Sequence, residues 1–212
     1  MTSRLKIWVA SLAITLIAVL HPANDAKAAP NDLVITVIGD SLSAGFKVDK
    51  KDALPAQLGE VLKEWGIYAK MVNAGVSGDT TTGGLARFDW SVPAETDLLI
   101  IALGANDGFR NVPPYTVKHN LEQMILKAKA RNMKVVLAGM KALQNYGTSY
   151  ELAFNRIYGD LSLKHGVPLY PFLLKDVLRV PSLNLPDGLH PNPRGIRIMA
   201  ENLVPVVVDA LR

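Results

Sequence analysis

Short, nearly continuous apolar runs recur along this chain with helical stripes between them, and that alternation leaves few folds open. Leu33-Val34-Ile35-Thr36-Val37-Ile38, Asp97-Leu98-Leu99-Ile100-Ile101-Ala102-Leu103 and Lys134-Val135-Val136-Leu137-Ala138 lack the in-out alternation of a half-exposed strand. Strands of this kind are covered on both faces, as in a parallel sheet. Between them, Leu54, Leu58, Val61, Leu62 and Trp65 draw one apolar stripe along a helix that stops at Gly66. Val117, Leu121, Met124, Ile125 and Ala128 draw a second, and Ala153, Ile157 and Leu161 a third that stops before Gly166. The stretch from Ile67 to Asn73 returns to the sheet, and Val167 to Tyr170 is a short edge strand because Pro168 has no N–H to give a ladder. Asp79 to Trp90 reads as a short helix, although Gly83 and Gly84 each cost about 1 kcal/mol relative to Ala. Asn192 caps a last helix with Pro193 in its first turn, running past Ile196, Met199, Ala200 and Leu203 until Pro205 kinks or ends it. Repeated strand-helix units with right-handed crossovers predict an α/β fold: a three-layer α/β/α sandwich on a mainly parallel, five-stranded sheet, in a single domain.

The amino terminus lies outside that pattern. Arg4 and Lys6 precede the apolar run Ile7 to Leu20, and small residues follow around Ala26-Lys27-Ala28. This is the layout of a secretory signal peptide, predicted to span residues 1–28 with cleavage after Ala28. A membrane anchor is the alternative, but the run is about 14 residues where a spanning helix wants roughly 20. Taking Arg4, Lys6, Lys27 and Asp25 from the 23 basic and 19 acidic residues leaves 20 and 18, a net charge near +2. Basic residues are scattered, and Lys47, Lys50 and Lys51 read as a solvated loop, so no nucleic-acid partner is expected. Without cysteine there is no disulfide, thiolate nucleophile, lipoprotein anchor or Cys-ligated zinc, which suits a bacterial periplasm or medium.

Four polar stretches sit where chemistry belongs in such a sheet: Gly39-Asp40-Ser41-Leu42, Asn73-Ala74-Gly75-Val76-Ser77-Gly78-Asp79, Gly104-Ala105-Asn106-Asp107 and Asp187-Gly188-Leu189-His190. Three of them follow apolar strands, and open parallel sheets bind ligands outside the carboxyl ends of their strands. Ser41 is a candidate nucleophile, although Gly-Asp-Ser after a strand also serves as a turn or helix cap. Asp187, three residues before His190, can hold one ring nitrogen while the other faces a serine; as Pro186-Asp187-Gly188 it can equally serve a surface turn. Other histidines compete poorly, since His21 leaves with the leader, His119 sits on a polar helix face and His165 suits a helix carboxyl end. Gly75 can bring a backbone N–H close to a developing oxyanion and Asn106 can offer a side-chain amide, though asparagine after a strand is often a turn residue. Asn73 and Asp107 read as loop-shaping partners. Neither G-x-G-x-x-G nor a P-loop is present, nor a His-Glu-x-x-His metal motif, nor the G-x-S-x-G elbow of the α/β-hydrolases.

These four ordered blocks, extended by Pro191-Asn192, resemble the SGNH (GDSL) hydrolases over essentially all of residues 29–212. Gly83-Gly84-Leu85-Ala86-Arg87, Asn145-Tyr146-Gly147 and Phe154-Asn155-Arg156-Ile157-Tyr158 extend the likeness to the periplasmic thioesterase, lysophospholipase and arylesterase subgroup. The resemblance implies a flavodoxin-like sandwich and hydrolysis of small acyl esters or thioesters without cofactor or metal. It also implies a periplasmic or secreted location, with no stable membrane anchor once the leader is removed. It casts Ser41, Asp187 and His190 as the triad, and the Ser41 and Gly75 amides with the Asn106 side chain as the oxyanion hole. Phe109, Arg110, Val112 and Pro113 fall in a segment that lies beside the acyl chain in that subgroup, here stiffened by Pro113 and Pro114. Acyl transfer to a sugar or alcohol by the same acyl-enzyme, or a catalytically silent binding protein on this fold, are the competing readings. Substrate discrimination falls to the loops around 43–52, 109–115 and 143–149.

Overall fold

The computed structural model describes residues 33–142 and 146–212, so the expected leader at 1–28 and residues 143–145 of one substrate loop lie outside the described residues. Five parallel strands, β1 (Val34–Gly39), β2 (Lys70–Gly75), β3 (Leu98–Ala102), β4 (Lys134–Ala138) and β5 (Leu169–Tyr170), form one sheet in the order β2-β1-β3-β4-β5. Every residue of β1 and of β3 is buried, as the unbroken apolar runs require. β5 is an edge strand of two residues, just after Pro168.

Helices α2 (Leu54–Glu64) and α8 (Pro193–Leu211) pack together on one face, while α3 (Thr81–Ala86), α6 (Pro114–Ala130) and α7 (Thr148–His165) cover the other. The chain leaves β1 through α2 to reach β2 on one side, then crosses back to place β3 on the other. That reversal puts a topological switch point between β1 and β3, where open α/β sheets hold their ligands. Two short helices begin there: α1 (Ser41–Ala44) follows β1 and α5 (Ala105–Phe109) follows β3.

At four places the structure corrects or narrows a local expectation. The helix predicted over Asp79 to Trp90 is two helices, α3 and α4 (Phe88–Ser91), with Arg87 at the break because its side chain is drawn toward the strand ends. Gly83 and Gly84 are tolerated because larger residues have no room: a Cβ at 83 would lie 1.7 Å from the Asp79 carboxylate and one at 84 would lie 2.2 Å from Leu103. Pro205 does not end α8, which runs on to Leu211. A mid-helix proline costs about 3 kcal/mol, and burial of Leu203, Val204, Val207 and Val208 at roughly 1.5–3 kcal/mol each outweighs it. Finally, α7 turns Phe154, Ile157, Tyr158 and Leu161 inward and leaves Ala153 exposed, and Trp65 lies beyond the buried part of the α2 stripe.

Candidate active site

At the end of β1 the buried Asp40 carboxylate caps α1, its Oδ1 accepting the Leu42 N–H at 3.0 Å. This sets Ser41 as the first residue of a one-turn helix that stops at Gly45, which has a positive φ of 84°. On the far side of the switch point, Gly104 turns the chain with φ 126°, where a Cβ would collide with the Tyr158 hydroxyl at 2.0 Å. That turn brings Asn106 onto α5, and its Nδ2 donates a long, 3.4 Å hydrogen bond to Asp40 Oδ2. One hydrogen of the Asn106 amide is thereby engaged, and the other is left to point elsewhere.

The third part comes from the opposite end of the sequence. Leu185 N donates to His190 O at 2.7 Å and Asn192 N to Leu183 O at 2.9 Å, closing a loop before α8. Within it Gly188 takes φ 68°, and Asp187 Oδ1 accepts the N–H groups of both Leu189 and His190 at 2.9 Å. The other oxygen, Oδ2, lies 2.8 Å from His190 Nδ1, and His190 Nε2 lies 3.0 Å from Ser41 Oγ. Residues 149 positions apart are therefore in hydrogen-bond contact, with the Phe46 ring packed against the imidazole, tilted at 37° and 4.4 Å between ring centroids. An Asp–His–Ser chain of this geometry can fix the imidazole tautomer and draw the proton from the hydroxyl.

Electrostatics divide the two carboxylates. Hydrogen bonds from the His190 backbone N–H, foremost, and from Leu189 hold the Asp187 carboxyl down at about 2, so it is ionised at any working pH. Burial instead raises Asp40 from 3.8 to about 6, against the opposing pull of the Leu42 N–H, the His190 charge and Asn106. A carboxyl raised on folding contributes stability that is fully present below its unfolded value and lost as pH rises through about 6. That difference corresponds to roughly 3 kcal/mol. Asp40→Asn removes this term, so its Tm relative to the parent protein is expected to climb between pH 4 and pH 8. Thermal unfolding across that range checks it, and a pH-independent gap would refute the assignment.

The remaining sequence candidates divide as follows. A cleft of about 250 Å³ opens on Ser41, Asn106 and His190 and is otherwise walled by Leu42, Ala105, Phe109, Leu174 and Leu189. Phe109 is thus the one member of the expected substrate segment that forms its wall. Arg110 turns away to donate to Gly78 O at 2.9 Å, the Val112 carbonyl accepts from the Tyr150 hydroxyl at 3.0 Å, and Pro113 is exposed at the start of α6. Asp107 is fully buried and serves structure, accepting Thr81 N at 2.8 Å and Thr81 Oγ1 at 2.7 Å. His165 pairs with Glu122 at 2.6 Å, and His119 is exposed on α6.

Gly75 departs from its expected part. Val76 N faces β1, donating to Gly39 O at 3.0 Å, so the preceding Gly75 N–H faces the open edge of the sheet and is taken by Asn73 Oδ1 at 2.9 Å. Its need for glycine is steric, since a Cβ there would lie 2.4 Å from Ala44 N. Three residues on, Gly78 has φ 83°, its carbonyl is held by Arg110 from the end of α5, and its N–H finds no acceptor among the described residues. The N–H of Ser41 is likewise without an acceptor there. Sequence reading missed Gly78, the pairing of Asp40 with Asn106, and the cleft walls Leu174 and Leu189. Gly78 alone carried a signal, as a second glycine in the same block.

Known proteins resemble this chain over most of its length. Residues 37–198 match the model of the GDSL-like lipase/acylhydrolase family. An arylesterase of Vibrio mimicus is 38% identical over 178 residues, covering 84% of this chain and 89% of that protein. Thioesterase 1/protease 1/lysophospholipase L1 of Escherichia coli K12 is 36% identical, over 85% of this chain and 88% of its own. Among solved structures, that of TesA superposes with a TM-score of 0.78 at 36% identity, covering 84% of this chain and 99% of that one. With a matching family model across most of its length and relatives well above 30% identity over nearly all of theirs, the chain belongs to the GDSL-like lipase/acylhydrolase family and is an ester hydrolase.

Proposed function

We propose that the protein hydrolyses carboxylic esters or thioesters of hydrocarbon acyl groups through an acyl-Ser41 intermediate. The observation that carries this is the Asp187–His190–Ser41 hydrogen-bond chain opening on an apolar cleft. His190 Nε2 takes the hydroxyl proton as Ser41 Oγ bonds to the acyl carbon, and the carbonyl electron pair moves onto its oxygen. The oxyanion is met by the Ser41 N–H, the free hydrogen of Asn106 Nδ2 and the N–H of Gly78, which replaces Gly75 in this reading because Asn73 occupies the Gly75 amide. Collapse of the adduct expels the alkoxide or thiolate, which receives the proton from His190, and water repeats the sequence to release the acid.

The alcohol or thiol side of the substrate faces the open rim, where the His190 and Asp187 side chains keep 25% and 35% of their surface exposed. Water reaches the imidazole there, which favours hydrolysis over acyl transfer. The names of the relatives, arylesterase and thioesterase/lysophospholipase, support a site that tolerates varied leaving groups. The apolar run at 7–20 supports export, with residues 29–212 as the working domain.

Varying acyl length and leaving group separately in an ester panel, with and without an added alcohol acceptor, tests this reading. Free acid should account for nearly all product in both arms, and a predominance of transferred acyl groups would make the protein a transacylase. In the same assay Asn106→Ala is expected to lower kcat by about 10²–10³-fold with little change in KM, because the lost bond forms mainly in the transition state. A rise in KM alone would make Asn106 a binding residue.

A further inference from the structure

Arg87 lies outside the triad and outside the cleft, yet its side chain reaches the ends of both strands whose turns present the two amide donors. It is buried, at 6% exposure, and its guanidinium forks three ways. Nη2 donates to Gly39 O at 2.9 Å, in the peptide just before Asp40-Ser41. Nη1 donates to Ala74 O at 2.7 Å, at the end of β2. Nε donates to Asp79 Oδ2 at 2.6 Å, on the residue after Gly78. One planar, always charged group thus ties the turn that carries Ser41 to the turn that carries Gly78.

We propose that Arg87 is the positioning residue of the oxyanion hole, fixing the distance between the Ser41 and Gly78 amides through Gly39 O, Ala74 O and Asp79. The inference rests on the assignment of those two amides under Proposed function. Its physical basis is that few other hydrogen bonds join the two turns. α1 packs over β2 and Asn73 Nδ2 reaches Ala44 O only at 3.4 Å, while the β1–β2 ladder ends with Val76 N on Gly39 O. Beyond Val76 the loop to Thr80 is anchored to the sheet through Asp79 and Arg87, and to α5 through Arg110. Electrostatic stabilisation of an oxyanion depends on donors fixed in advance, and a misplacement of about 1 Å can cost roughly 10²-fold in rate. The arrangement suits arginine, because one planar guanidinium carries N–H groups on three nitrogens far enough apart to reach two carbonyls and a carboxylate at once, whereas an ammonium offers its donors from a single nitrogen.

The local packing also guards this arrangement. Gly83 leaves the space that the Asp79 carboxylate fills, and the break between α3 and α4 occurs at Arg87 itself, freeing its side chain from the helix surface to reach the strand ends. A purely structural ion pair would join Arg87 to Asp79 and require neither strand-end carbonyl.

The test compares the full chain with Arg87→Lys and Asp79→Asn by steady-state hydrolysis of a p-nitrophenyl ester, inhibition by a trifluoromethyl ketone that forms a tetrahedral adduct, and thermal unfolding. Arg87→Lys is expected to lose about 10–100-fold in kcat per folded molecule with KM within about twofold, and the inhibition constant of the ketone should weaken by the same factor as kcat/KM. A variant with a lower Tm but unchanged kcat and ketone affinity would make Arg87 merely structural and overturn the proposal, as would a loss confined to KM. Should Arg87→Lys fail to fold, Asp79→Asn keeps the guanidinium on both carbonyls and loosens only the Gly78 turn. It should show the same pattern at about 3–10-fold, and an unchanged kcat would overturn the proposal. Labelling of the unaltered protein by a fluorophosphonate, located by mass spectrometry, separates the two levels: absence of label on Ser41 removes the nucleophile assignment and this inference with it, whereas label on Ser41 with indifferent Arg87 and Asp79 variants removes this inference alone.

Discussion

Ser41→Ala is expected to reduce kcat for ester hydrolysis by about 10⁴-fold or more, and His190→Ala to reduce it about as far. The double variant should lose no more than either single one. Ser41 Oγ and His190 Nε2 are 3.0 Å apart, so the hydroxyl gives up its proton in the step in which it bonds to carbon. Removing either group abolishes that step as a whole, and effects on a single step do not multiply. What survives is the modest rate from the donors acting on water attack, about 10³-fold above the uncatalysed reaction in enzymes of this chemistry. Neither variant should unfold the protein, because Ser41 and His190 border a cleft and lie outside the buried core. Kinetics with matched circular dichroism spectra measure this, and losses that multiply in the double variant would show that the two residues act in separate steps.

How much of this was legible in the sequence follows from how local each signal is. β1, β3 and β4 are spelled out by their own residues, because a strand covered on both faces is apolar along nearly all of its length. Asn192 as a helix cap is equally local, and its Oδ1 accepts from Arg194 and Gly195 as the Asn-Pro signature requires. Three of the four polar blocks sit at strand ends, and the sheet order then brings the Ser41 and Asn106 turns to one crevice. Where the reading failed, the deciding fact was a contact distant in sequence. Whether Pro205 ends α8 could not be read locally, because the packing that carries the helix past it comes from elsewhere in the fold. Gly75 was taken for a donor because a glycine after a strand fits that part; which way its N–H points depends on the β1–β2 register, Gly39 opposite Gly75, which the residues of β2 do not encode. Arg87 resembled an ordinary helix residue, and only the meeting of two strand ends gives it three partners.

Asp187→Asn is expected to be more damaging than Asp187→Ala, with kcat losses of about 10³–10⁴-fold and about 10²–10³-fold respectively. The order follows from the bonds each replacement leaves. Asp187 Oδ1 accepts two backbone N–H groups, from Leu189 and His190, and any amide placed there keeps both bonds only by turning its oxygen toward them. Its NH₂ then faces His190 Nδ1, 2.8 Å away in the parent, and donates to it. An imidazole that accepts at Nδ1 carries its proton on Nε2, which faces Ser41 Oγ as a donor and cannot take the hydroxyl proton. Flipping the amide restores the acceptor at Nδ1 but sets its NH₂ against two backbone donors, so the inactive arrangement is favoured by the difference of two hydrogen bonds. Alanine imposes no tautomer. With 35% of the parent side chain already exposed, water fills the space and accepts from Nδ1–H, preserving a usable base at the expense of orientation and of the charge that stabilises the imidazolium. Steady-state kinetics of both variants on one ester decide the matter: an alanine variant slower than the asparagine variant would show that the charge and the turn at Asp187, rather than the tautomer, govern His190.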